Sequence, residues 1–319
     1  MNGTSGPSLL LRLAARQLRP TVIGILVATA LCIPRPVAAQ GELERARRDY
    51  NAGNFDGAIA SAEGARRKAV NAPASALIIA RSRLERFRRL ANPEDLNAAR
   101  AELVAIDLRG LSRQEILEWQ IGLGEALFLD NLPGPASEMF NAVIPSARAR
   151  LTPAEIEKLI EWWATSISRV AESANGAARI DEYRELRTVC EGELERDPAS
   201  RSATYWIVAA LRGTGELDRA WNAAIAGWIR AGAMVRADEL RADLDRLVVQ
   251  TIIPERAQAR TGQRLDAANT AAAIATMTAE WRGVTGRWTG PAAGASSEDR
   301  SPMPLPSRPN SAPATNYSP

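Results

Sequence analysis

The chain has 319 residues, 46% of them hydrophobic, with 40 Lys+Arg against 37 Asp+Glu and no histidine. That length suffices for a sizeable core or for a solenoid with a continuous one. The lack of histidine excludes Ser-His-Asp and Cys-His nucleophile pairs and every metal site built on imidazole.

Residues 1–39 read as a secretory signal peptide. Arg12, Arg16 and Arg19 form a positive region without acids, and 21–33 (TVIGILVATALCI) is an apolar run. Val37-Ala38-Ala39 then supplies the small residues of a cleavage site, so the mature protein is expected to begin at Gln40, in the periplasm or outside the cell. Thirteen apolar residues fall short of the ~20 that span a bilayer, which limits membrane contact to this segment before cleavage. Leu31 before Cys32 is too large for lipidation of that cysteine. Without the four arginines of 1–39 the balance is 36 basic against 37 acidic residues. A nucleic-acid partner needs a basic face, and the basic pI of the whole chain does not supply one.

Helical patterns then follow one another at breaks ~15–20 residues apart, the spacing of stacked hairpins. Leu43, Ala46 and Tyr50 share one face of a helix that stops at Gly53-Asn54. Phe55, Ala58, Ile59 and Ala62 form the stripe of the next, at spacing i, i+3, i+4, i+7. So short a turn forces the pair antiparallel, and Ala46 and Ala58 let the backbones approach. After Asn71-Ala72-Pro73 come Leu77, Ala80, Leu84 and Phe87; after Asn92-Pro93 come Leu96, Ala99, Leu103 and Ile106, up to Gly110. Ser112-x-x-Glu115 is a capping box opening a helix with Trp119, Leu123, Gly124 and Leu127. Residues 131–134 turn into the stripe Ala136, Met139, Phe140 and Val143. Thr152-Pro153-x-Glu155 starts a helix carrying Ile156, Ile160, Trp163, Ile167 and Val170. Asn175-Gly176 precedes Ile180, Tyr183, Leu186 and Val189, a face on which Cys190 reads as a buried, inert thiol. After Asp197-Pro198, Tyr205, Val208, Ala209 and Leu211 make one helix. Beyond Gly213-Thr214-Gly215, Leu217, Ala220, Trp221, Ala224 and Trp228 make its partner. A longer helix with Leu240, Leu244, Leu247, Val248 and Ile252 is expected up to Pro254, and an Ala-rich one near 266–281. No β-branched alternation bounded by turns marks a strand. Residues 289–319 hold seven prolines and few large apolar groups, and read as a disordered tail.

The stretch 46–65 resembles a tetratricopeptide repeat, with a small residue at Ala46, Gly53 in the turn, Phe55 two residues later, then Ala58 and Ala62. Leu123-Gly124 followed by Ala136 and Phe140, and Gly215-x-Leu217-x-x-Ala220, are further matches. The resemblance implies an all-α fold of antiparallel hairpins stacked as an α-solenoid with degenerate repeats over 40–288, of the exported bacterial type. It further implies a scaffold that binds a protein or peptide of the cell envelope and needs no cofactor. In such folds the first helix of each hairpin lines the groove, which points to Arg47, Tyr50 and Asn51 in the best repeat. Trp162 and Trp206 lie beside the main apolar stripes; the wide apolar face favours burial on both sides, and partner contact on the inner surface is the other reading that makes them candidate site residues.

One cysteine after cleavage excludes thiolate clusters, and no Gly-rich loop follows a strand. Lys68 and Lys158 are the only lysines. Carboxylate acid–base chemistry is the sole catalytic class left. Glu172-Ser173 is similar to the Glu-Ser pair of lytic transglycosylases, whose single glutamate acid cleaves peptidoglycan, but the Gly-Leu-Met-Gln element that normally follows is missing. The expectation is therefore a scaffold without catalysis or metal, with a cell-wall carboxylate enzyme as the alternative.

Overall fold

The computed structural model describes residues 37–261 and 267–289. The expected signal peptide lies outside the described residues except for its last three, and the expected tail lies outside them except for Thr289.

Described residues form helices joined by short turns, and no strand occurs among them. Five hairpins come first: α1 (Val37–Asn51) with α2 (Phe55–Arg66), α3 (Ala72–Leu90) with α4 (Pro93–Ala105), α5 (Arg113–Leu129) with α6 (Pro133–Ala147), α7 (Pro153–Ser173) with α8 (Gly176–Arg196), and α9 (Arg201–Gly213) with α10 (Leu217–Ala231). α11 (Ala237–Leu247), α12 (Ile253–Thr261) and α13 (Ala267–Arg287) complete the array.

Local chemistry sets the helix ends. Gly53 and Gly215 turn the chain at positive φ, +73° and +81°, where a side chain is strained. Asn54 caps α2 by accepting from the Gly57 N–H at 3.1 Å. Both capping boxes close: Ser112 and Glu115 at α5, Thr152 and Glu155 at α7. Pro254 does not end its helix. A π-turn over Val248–Ile252 carries α11 into α12, and the Ile253 N–H reaches back five residues to the Val248 carbonyl. That wider turn comes just before the residue that has no N–H to give, so the chain continues helical to Thr261. α4, by contrast, ends early at Ala105, where Ile106 turns extended, and α13 runs on to Arg287.

Each helix packs on its chain neighbour, and the odd-numbered helices α1 to α11 also pack on one another in sequence. α2, α4, α6 and α8 pack mainly on the odd helices and meet one another only at their rims, as where Arg66 of α2 pairs with Glu102 of α4. Apolar stripes close into one large core from α5 to α13 and smaller ones around α1 to α5. In the large core, Trp281 of α13 sits edge-on to Trp221 and Trp228 of α10, and its indole N–H donates to Asp245 at 2.7 Å. Cys190 is fully buried there, and burial pushes its thiol well above the ordinary range.

Gly124 marks a close approach of α5 to α6. A Cβ there would lie 2.6–3.0 Å from three ring atoms of the buried Phe140. Gly124→Ala is therefore expected to destabilise the protein by ~1–2 kcal/mol, since overpacking outweighs the helix propensity gained. Gly283 in α13 faces open space, and Gly283→Ala is expected to stabilise by ~0.5–1 kcal/mol. Urea midpoints of the two variants, moving in opposite directions, check the packing.

Candidate functional site

The inward faces of α3, α5 and α7 converge on a cleft floored by α6. Helical spacing selects the residues: Arg81, Glu85 and Arg88 on α3, Glu118, Ile121 and Glu125 on α5, and Glu155, Lys158, Leu159 and Trp162 on α7. Ile121, Phe140, Leu151, Leu159 and Trp162 make the apolar wall, opposed by Arg81, Glu118, Glu125, Glu155 and Lys158.

Most charges here are already paired. Glu85 takes the Lys158 ammonium on one oxygen and the Arg88 guanidinium on the other, both at 2.7 Å. Burial opposes ionisation of Glu85, but the charges of Lys158 and Arg88 outweigh it and hold its carboxyl below the usual range. Arg81 donates to Glu118 at 3.1 Å and lies 4.9 Å from the Tyr50 ring centre. Arg88 stacks 5.0 Å from the Trp162 ring, whose other neighbours are Phe128, edge-on at 4.9 Å, and Phe140 at 6.2 Å.

Glu125 differs. It is 5% exposed, and its Oε1 has no hydrogen-bond partner. Burial raises its pKa, the Glu85 charge adds to that, and Lys158, Arg81 and Arg88 oppose it. Two carboxyls thus sit near one another, one held ionised and the other pushed toward its neutral form. Such a divided pair is the raw material of acid–base catalysis. Here both oxygens of the ionised member are held by cations, which leaves it no reach to a reacting proton. The hydrogen-bonding capacity left over is that of Glu125, and the arrangement suits binding rather than proton transfer.

Of the residues singled out in the sequence, Trp162 lies in the cleft, half-buried. Tyr50 borders it, wedged between Phe55 and Arg81, and burial raises its phenol pKa despite the nearby Arg81 charge. Asn51 is exposed at the end of α1. Arg47 is not an open donor: it binds Glu44 at 2.5 Å and Glu115 of α5 at 2.7 Å, tying α1 across to the α5 capping box. Trp206 does not line a groove. It is 1% exposed and edge-on to Tyr205, because α9 is covered by α7, α8, α10 and α11 together. Glu172 lies outside the cleft lining and accepts from the Ser168 hydroxyl at 3.4 Å. Sequence reasoning passed over Arg81, Glu85, Glu125 and Lys158. Two of them carry a signal: Glu125 interrupts the apolar run Leu123 to Leu129, and Lys158 is one of two lysines.

No family model, curated protein or solved structure matches the chain.

Because the folded state holds the Glu125 proton more tightly than the unfolded chain does, the contribution of Glu125 to wild-type stability falls as pH rises from about 4.3 through the raised pKa. Glu125→Gln is neutral throughout. Its stability advantage over wild type is expected to open above about pH 4.3 and then level off. Urea unfolding of both proteins across pH checks this, and a pH-independent difference would contradict it.

Proposed function

We propose that the chain is an exported helical-repeat scaffold of tetratricopeptide-like hairpins, which binds a peptide or protein segment of the cell envelope in the cleft between α3, α5 and α7. The observation that carries this reading is Trp162, half-buried on the inward face and set beside the apolar groups Ile121, Phe140, Leu151 and Leu159. An aromatic residue in a concave, largely desolvated setting is the kind of anchor that dominates binding energy. Stacking of successive hairpins supports it further, since such arrays present extended inner surfaces as binding sites. Export rests on the charged, apolar and small-residue sequence of 1–39. The reading requires no cofactor and places no catalytic group at Glu172.

A random peptide library displayed on phage and panned against the purified protein tests the cleft. Selected peptides are expected to bind Trp162→Ala at least tenfold more weakly, about 1.4 kcal/mol or more. They should bind Trp288→Ala, which alters an exposed residue outside the cleft, as they bind wild type. Peptides indifferent to Trp162 in a folded variant would overturn the assignment.

A further inference from the structure

We propose that the cleft recognises an uncharged amide, from a peptide bond or an Asn or Gln side chain, set next to an apolar side chain. This deepens the reading of the cleft as a peptide site and rests on it. Two polar atoms carry the argument. Glu125 Oε1 and Arg81 Nε both lack a hydrogen-bond partner while shut off from water, and both residues line the cleft. Buried polar groups are almost always satisfied, and leaving one unpaired costs ~1–3 kcal/mol. A ligand that displaces the side chains now covering these atoms and supplies the missing partners removes that cost.

Charge decides what kind of ligand. Lys158 and Arg88 are engaged by Glu85, and Arg81 by Glu118. Glu155 is turned to its own helix start, accepting from the Thr152 N–H and hydroxyl at 2.8 Å. An ammonium ligand brought to Glu125 would face Arg81 and Arg88 of α3 and Lys158 of α7. A carboxylate ligand would face Glu85 of α3, Glu118 of α5 and Glu155 of α7. Tyr50 of α1 is the remaining titratable group facing Glu125, and burial keeps it neutral. An ion of either sign meets three like charges in this set, whereas a neutral group meets none. The unpartnered Glu125 Oε1 can accept an amide N–H, and the protonated Glu125 carboxyl also offers an O–H to the amide carbonyl. Arg81 Nε–H adds a second donor for the amide carbonyl. Ile121, Phe140, Leu151, Leu159 and Trp162 then accept the neighbouring apolar side chain.

Saturation-transfer NMR on the full chain separates the possibilities with three probes that share one side chain. At about pH 6, N-acetyl-leucinamide is neutral, N-acetyl-leucine an anion and leucinamide a cation. N-acetyl-leucinamide is expected to bind at least fivefold better than either ion. Glu125→Gln, whose side-chain amide keeps a donor beside an acceptor, should retain that binding, and Glu125→Leu should lose it. Wild-type binding should also weaken as pH rises through the Glu125 titration, while Glu125→Gln binding stays level. Preference for an ionic probe, undiminished binding by Glu125→Leu, or no binding of any probe would overturn the proposal. A charged probe that binds wild type but not Trp162→Ala would overturn only the amide specificity and leave the cleft as the binding site. The phage peptides, if indifferent to Trp162, would remove the cleft itself.

Discussion

Close approach of neighbouring helices is the constraint on which the rest of this structure depends. A hairpin of two amphipathic helices buries its stripes only if the backbones come near, and small residues at the crossings allow it. Ala46, Ala58 and Ala62 are fully buried between α1, α2 and α3. Gly213 faces the Tyr183 ring so closely that a Cβ would come within 2.4 Å of it, and Gly227 stands in the same relation to Thr204 at 2.8 Å. Large residues fill what the small ones leave: Trp163, Trp206, Trp281, Tyr183 and Tyr205 are all almost completely enclosed. No hairpin covers both of its faces, so burial is completed by the next one, and stability passes from neighbour to neighbour.

Arginine–carboxylate pairs then fix how successive hairpins sit. Arg66 pairs with Glu102, Arg148 with Glu193 and Arg201 with Glu239, each across about 40 residues of sequence. These pairs are half-buried, and their Coulomb gain is offset by lost hydration, so they set register more than they add stability. Arg212 is the exception. Its side chain is fully enclosed and meets Glu255 through two hydrogen bonds, 2.9 and 2.5 Å, which locks α9 to α12. In the cleft the same device has a second consequence. Lys158, Arg88 and Glu85 satisfy one another, and Arg88 is thereby held against the Trp162 ring.

Much of the helix count and most boundaries were legible in the sequence, because caps and breakers act locally. Ser112, Glu115, Thr152 and Glu155 do what their spacing says. Pro254 misled for a local reason of another kind: a π-turn ahead of it absorbs the missing N–H, and nothing in the residue types announces such a turn. The inner surface was legible only in part. Which odd helix packs on which decides that Arg47 is spent on Glu115 and that Trp206 is enclosed, and this is tertiary information. Trp162 was visible as a residue off the main stripe. Glu125 was visible too, as a charge inside an apolar run, although its environment came from Glu85, 40 residues away.

The central claim is that α3 and α7, two hairpins apart in sequence, meet across the inward face. Zero-length carbodiimide coupling joins an amine to a carboxylate in direct contact, and the chain has only two lysines. Lys158 Nζ lies 2.7 Å from Glu85 Oε1, across 73 residues. Peptide mapping of the coupled protein should therefore recover an amide between Lys158 and Glu85. Coupling of Lys158 only to carboxylates of its own hairpin, with none to α3, would contradict the stacking and the cleft together.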